Sequence, residues 1–266
     1  MKALSVLGVT VHDVTYGEAL ETICRFVADG GPHMVTTPNP EFVMLARRDQ
    51  HFRATLTRAA LAIPDGVGLL WAGRVSGCPF REHVRGTDLV VRLASHSAAA
   101  GHRWFLLGAA PGIAEKAATA LRTMAPGLDI AGTFPGDASP AGDAETRRVI
   151  RSAGRVDIAL VAYGARAQEL WMDRNLGEIG IPVGIGVGGV FNYLAGVSPR
   201  APYWMRKLEL EWLHRLVTEP WRWRRQAALP LFAAHVAFAT WLPGSPGAVQ
   251  VALSAEVDST KGLSTS

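Results

Sequence analysis

Residues 157–189, DIALVAYGARAQELWMDRNLGEIGIPVGIGVGG, decide the fold. Two short apolar runs, DIALVAY at 157–163 and PVGIGVG at 182–188, enclose a segment that Gln168 and Glu169 open. The runs have strand length, and Glu169 stands where a helix dipole favours an acid in the first turn. Strand, helix and second strand in that order form the unit of a parallel sheet with crossover helices.

The same alternation extends outward. HMVTT at 33–37, LAI at 61–63, WFLLG at 104–108 and LDIAG at 128–132 are further expected strands, and LSVLGV at 4–9 is expected as the first. Thr15 and Glu18 form a capping box for a helix that ends at Gly30 and Gly31, and Asn39 followed by Pro40 opens another as N-cap and N1. No internal repeat interrupts this rhythm. The class read from the residues is α/β.

Near Gly196–Pro202 the segment SPRAP breaks the pattern, and a helical, aromatic and basic composition follows. The expected organisation is a catalytic core over 1–196, an appendage over 197–242 and a flexible tail over 243–266. A chain of 266 residues, 48% hydrophobic and 19% charged, is long enough for a substantial core plus such an appendage. The net charge of +4 is modest, but Arg206, Lys207, Arg215, Arg222, Arg224 and Arg225 cluster near one end, which suits anionic phosphates. Two cysteines, Cys24 and Cys78, exclude a disulfide framework and point to a reducing, cytosolic compartment. The N-terminus lacks the long apolar region of a signal peptide.

In the appendage, Trp204, Leu208 and Trp212 recur at i, i+4 and i+8, with Arg206, Lys207 and Arg215 largely off that line, and Trp221 and Trp223 interleave with Arg222 and Arg224. Rings at headgroup depth beside cations on anionic lipid are the pattern of an interfacial helix, the alternative being a hairpin with its tryptophans in the core. The apolar run 227–242 is shorter than the roughly 20 residues of a spanning helix. Pro230 and His235 also interrupt it, so it is expected on or in the bilayer without crossing. No recognition motif points to nucleic acid.

Several local patterns could carry chemistry. IPDGVG at 63–68 reads as a turn, yet it places Asp65 at the carboxyl edge of a sheet, where a carboxylate can act as a general base. Asn39 is either a cap or a ligand, and the hydroxyls of Thr36 and Thr37 lie just ahead of it. GAAPG at 108–112 and GIGVGG at 184–189 can present N–H groups to a pyrophosphate, or serve only to pack helix on sheet. The second matches G-x-G-x-x-G through Gly184, Gly186 and Gly189, but it comes late and runs into the basic tail, unlike a dinucleotide motif. The eight histidines are scattered without metal-ligand spacing, and no GxSxG elbow is present.

In order, TTPNPEF, IPDGVGLLWAGR, RGTDLV, FLLGAAPG, AQELWM, GVGGVFNYLAG, SPRAPYW and LEWLHRLVTEPWRWRRQ resemble the WecG/TagA/CpsF family of glycosyltransferases, from the first strand to about Gln226. The resemblance implies a Rossmann-like parallel-sheet core with a helical C-terminal membrane-associating appendage. It implies a metal-independent, inverting transfer of a sugar from a UDP-sugar to a polyprenyl-diphosphate-linked saccharide at the cytoplasmic membrane face, with no cofactor beyond the donor. Asp65 then matches the catalytic base. Thr37, Asn39, Gln168 and Glu169 match pocket positions, Gly108, Gly186, Gly188 and Gly189 the glycine-rich turns, and Arg215, Arg222 and Arg225 arginines of the tail. The family arginine before RGTDLV falls on His83, with Arg81 and Arg85 beside it. Arg166-Ala167 replaces a Pro-Lys and Asn192 an Asp. These departures touch sugar specificity. An NAD(P)-dependent oxidoreductase using GIGVGG and a non-catalytic membrane-binding module are the competing readings, and a homo-oligomer is compatible with either class.

Overall fold

The computed structural model describes residues 1–199, 201–207, 210–218, 223, 227–241 and 247–251, with the backbone alone at 203, 206, 211 and 215. Its centre is a six-stranded parallel sheet. The strands are β3 (His33–Thr36), β4 (Leu61–Ala62), β5 (Arg103–Gly108), β6 (Asp129–Phe134), β7 (Ile158–Ala162) and β8 (Val183–Gly186), in the spatial order β4-β3-β8-β7-β5-β6. This is the Rossmann-like α/β core.

Burial on both faces explains the unbroken apolar runs. Along β5, Trp104 and Leu106 enter one core cluster while Phe105 and Leu107 enter the other. The first face is covered by α1 (Tyr16–Asp29), α5 (Gly86–Ala100), α6 (Ile113–Met124) and α9 (Val190–Leu194), and the second by α7 (Asp143–Ser152) and α8 (Ala167–Ile179). The inner strands β5, β7 and β8 leave no face for water, so period-two alternation has nothing to select it there, whereas the edge strand β6 buries only Ile130.

The chain start departs from expectation. Residues 4–9 are not one strand of the core but parts of two, β1 (Lys2–Val6) and β2 (Val9–Asp13), paired antiparallel in a separate sheet. Leu7 at φ 48° and Gly8 at φ 86° make the turn, and two consecutive positive φ values match the twist of a tight hairpin. His12 on β2 accepts the Ala62 N–H at 2.9 Å and so ties this small sheet to the edge of the large one. The third strand of the small sheet is β9 (Val249–Val251), which pairs with β1 although its composition suggested a loose tail.

Packed with the small sheet in one apolar cluster are α2 (Pro40–Ala46), α3 (Gln50–Thr57) and α4 (Val67–Val75), and the C-terminal helices follow as α10 (Tyr203–Lys207), α11 (Glu211–Thr218) and α12 (Ala228–Trp241). Trp204 and Trp212 therefore sit on separate helices rather than on one stripe, and Leu208 lies outside the described residues. Neither Pro230 nor His235 interrupts α12. Proline is tolerated in a first turn, where its missing N–H has no intrahelical partner, and His235 Nδ1 donates to the Leu231 carbonyl at 2.8 Å.

Helix α12 packs against α2 and α4 with Phe232 and Val236 buried in their cluster, while Phe238 and Trp241 are 65% and 71% exposed. It is thus half core and half apolar surface. Fourteen residues rise only about 21 Å, well below the roughly 30 Å of a bilayer core. Among the described residues, no helix is long and apolar enough to cross a membrane.

Candidate functional site

Parallel strands deliver their following loops to one edge, and here the loops after β3, β4, β7 and β8 converge on a single cavity of about 270 Å³. Thr37 and Asn39 come from the first loop, Asp65 and Gly66 from the second, Gly164 and Ala165 from the third, and Gly188 and Gly189 from the fourth. The chain entering α5 adds His83, Arg85, Gly86 and Thr87.

Each loop is held by bonds that continue the strands. Ile63 N–H donates to the Thr36 carbonyl at 2.9 Å and Asp65 N–H to the Pro38 carbonyl at 2.7 Å, which fixes Asp65 beside the head of α2. Gly66 follows at φ 87°, a left-handed conformation open to glycine, and turns the chain into α4. Asn39 is the N-cap of α2, its Oδ1 accepting from Phe42 N at 3.1 Å, and it lines the cavity as well. Capping and ligand contact are therefore not exclusive readings. Thr37 Oγ1 donates to the Gly186 carbonyl at 3.3 Å and joins the first loop to the fourth.

Gln168, 2% exposed, forms the floor. Its Oε1 accepts the Gly188 N–H at 3.0 Å and its Nε2 donates to Glu169 Oε1 at 2.7 Å. Glu169 itself does not reach the cavity. It is fully buried beneath Gln168, its Oε2 accepting from Arg166 N at 2.8 Å, and burial first of all pushes its carboxyl up to about 7.

The glycines divide by what a side chain would strike. A Cβ on Gly108 would lie 2.8 Å from the Ala162 carbonyl carbon, so this residue, expected among the binding glycines, lets β5 pass β7 and stands outside the cavity. On Gly184 a Cβ would lie 2.6 Å from Leu176, and on Gly186 it would lie 2.6 Å from Gln168 Nε2. Two of the three glycines in the dinucleotide-like motif therefore serve α8 packing, and Gly186 contributes its carbonyl to Thr37 rather than a ligand contact. Gly188 and Gly189 line the site.

Sequence reasoning did not single out the rest of the lining, and four of those residues bear on chemistry or shape. Glu41 projects from the first turn of α2, while Trp212 from α11 and Ala228 and Leu229 from α12 form a wall. The NPEF segment signalled Glu41, but nothing local shows that the C-terminal helices fold back over the sheet edge. The Arg215 side chain, Arg222 and Arg225 lie outside the described residues, as do Trp221, Arg224 and most of the 243–266 segment.

A family model for "Glycosyl transferase WecG/TagA/CpsF family" matches residues 4–245. The chain belongs to this family. Its members thus supply the reaction class: this protein is a glycosyltransferase. Among relatives, the chain is 29% identical over 202 residues to a protein of Bacillus spizizenii, covering 76% of this chain and 77% of the relative, and 27% identical over 241 residues to a protein of Staphylococcus aureus, covering 88% and 92%. A Bacillus subtilis protein is 29% identical over 205 residues, covering 76% and 78%. All three are named N-acetylglucosaminyldiphosphoundecaprenol N-acetyl-beta-D-mannosaminyltransferase.

Proposed function

We propose that this glycosyltransferase moves an N-acetylmannosamine-type hexose from a UDP-sugar to a polyprenyl-diphosphate-linked N-acetylglucosamine, with inversion, during cell-envelope polymer synthesis. One observation carries the reading: Asp65 lines the same cavity as Trp212 and Leu229, which belong to helices that expose Val217, Phe238 and Trp241. A lipid-borne acceptor held at a membrane surface by Trp204, Trp223, Phe238 and Trp241 would present its sugar hydroxyl to that carboxylate.

In the proposed step, Asp65 takes the proton of the acceptor hydroxyl as its oxygen bonds to the anomeric carbon. The bond from that carbon to the diphosphate oxygen breaks on the opposite face, and UDP leaves with the electron pair. A single in-line displacement inverts the centre. The charge on the departing diphosphate falls to Arg85, to the first-turn N–H groups of the 15-residue helix α5, which has no side-chain cap, and to the tail arginines Arg215, Arg222 and Arg225. Thr37, Asn39 and Glu41 offer hydrogen bonds to sugar hydroxyls.

The test is a screen of radiolabelled UDP-sugars against polyprenyl-diphosphate-N-acetylglucosamine in anionic vesicles, with wild type and Asp65→Asn. Label should pass to lipid from UDP-N-acetylmannosamine. The variant should lose about 10²–10⁴-fold in rate while still binding UDP. Full activity in Asp65→Asn would remove Asp65 as the base, and absence of transfer from every UDP-sugar would refute the donor class.

A further inference from the structure

We infer that Glu169 is a positioning residue for the transfer cavity: through the Gln168 carboxamide, which bridges it to the Gly188 N–H, it fixes the turn over residues 187–189 that forms one cavity wall. A first-turn acid needs no burial to favour a helix dipole, yet Glu169 is 0% exposed. Something other than the dipole keeps it inside.

The bonds around it form one connected set. A carboxamide is nearly symmetric in shape, so its neighbours decide which end faces where. Gly188 N–H can only donate, so it demands Gln168 Oε1 at 3.0 Å, and the ionised Glu169 can only accept, so it demands Gln168 Nε2 at 2.7 Å. The other Glu169 oxygen takes Arg166 N at 2.8 Å. Arg166 itself stands at φ 71°, which costs a non-glycine residue energy and which this bond and the 2.6 Å pair with Asp49 hold in place. Gly186 leaves the room: a Cβ there would lie 2.8 Å from Glu169 Oε1.

A proton on Glu169 would break this set. It turns one acceptor into a donor, so either Arg166 N or Gln168 Nε2 loses its partner, or the carboxamide turns over and points Nε2 at the Gly188 N–H. Among the described residues, the charges nearby give it no cationic partner. Arg166 directs its guanidinium to Asp49 at the head of α3, Arg58 at the C-terminal cap of α3 holds Asp173, and Arg174 holds Asp143 of α7. Glu41 on α2 repels it and adds to the upward shift that burial produces. The residues of β7 and β8 packed on α8 are apolar or glycine.

The inference rests on this cavity being the transfer site, and its test reads the network separately from catalysis. In full-length 15N-glycine-labelled protein, the Gly188 amide resonance should titrate between pH 5.5 and 8.5 with a midpoint near 7, and Glu169→Gln should abolish that titration. Glu169→Gln should also lower kcat by roughly 10–100-fold, the scale of a misplacement of about 1 Å, and flatten the acid limb of the kcat profile. Should Glu169→Gln fail to fold, Gln168→Leu must silence the Gly188 titration instead. A Gly188 amide that does not move with pH, or that moves unchanged in the variant, would overturn the inference. If transfer from UDP-sugars fails while the amide titrates as described, only the proposed donor is wrong.

Discussion

Replacing Phe232 by Ala separates the structural half of α12 from its surface half. Phe232 is 1% exposed and packs with Phe42, Val43, Leu69 and Ala72, whereas Phe238 on the same helix is 65% exposed. Truncating a fully buried Phe costs about 3–5 kcal/mol. Here the loss is bounded by what α12 contributes by docking, because once the helix lifts nothing further is lost. At about 1.4 kcal/mol per factor of ten, opening of α12 becomes roughly 10²- to 4 × 10³-fold more populated. Amides of the helix should then exchange with deuterium faster by a similar factor, while those of β5 and β7 keep their protection. Ala228 and Leu229 line the cavity, so UDP binding should weaken in parallel. Phe238→Ala removes no buried contact and should stay within about 0.5 kcal/mol of wild type in melting, yet bind anionic vesicles less tightly. Unchanged exchange in Phe232→Ala, or equal destabilisation by both substitutions, would refute the division of the helix into a docked face and an exposed one.

Three further outcomes follow from single positions. Gly68→Ala should destabilise by about 1–3 kcal/mol in denaturant melts, because its Cβ would lie 2.5 Å from Pro40 Cγ at the junction of α2 and α4. Glu169 is raised by burial from an ordinary 4.5 to about 7, so the stability it contributes is complete below the unfolded value and is lost as pH rises through about 7. Glu169→Gln should therefore gain melting temperature relative to wild type between pH 5.5 and pH 8.5, and a constant difference would contradict the burial argument. His12 works in the opposite direction: burial lowers its pKa, and its neutral Nδ1 holds the Ala62 N–H. Its contribution is complete above the ordinary histidine range and is lost as pH falls through the lowered folded value, so His12→Gln should flatten the loss of stability on acidification.

Where an element is defined by its own residues, the sequence spoke clearly. The inner core strands were legible because burial on both faces demands continuous apolar runs, and Thr15 and Asn39 were legible as caps because each bonds within three residues of itself. The hairpin was missed because its turn begins with Leu7, a residue that rarely adopts positive φ. Strand β9 was missed because three residues carry too little pattern, and β1 across the chain supplies their pairing. In the site, Asp65, Thr37, Asn39, His83, Arg85, Gln168, Gly188 and Gly189 do meet in one cavity, whereas Gly108 and Gly186 turned out to be packing glycines and Glu169 lies beneath the wall. A glycine tells that backbone or side chain approaches closely, never which one.

By itself the sequence determined the α/β class, the family and the acid placed after β4, since apolar period, capping residues and ordered motifs act over a few positions at a time. Only the tertiary structure decided that α11 and α12 return to wall the cavity, that α12 buries Phe232 while exposing Phe238, and that Glu169 is sealed under Gln168. Those outcomes depend on contacts between residues far apart in the chain, and burial, with the pKa shift it imposes, belongs to the whole packed molecule.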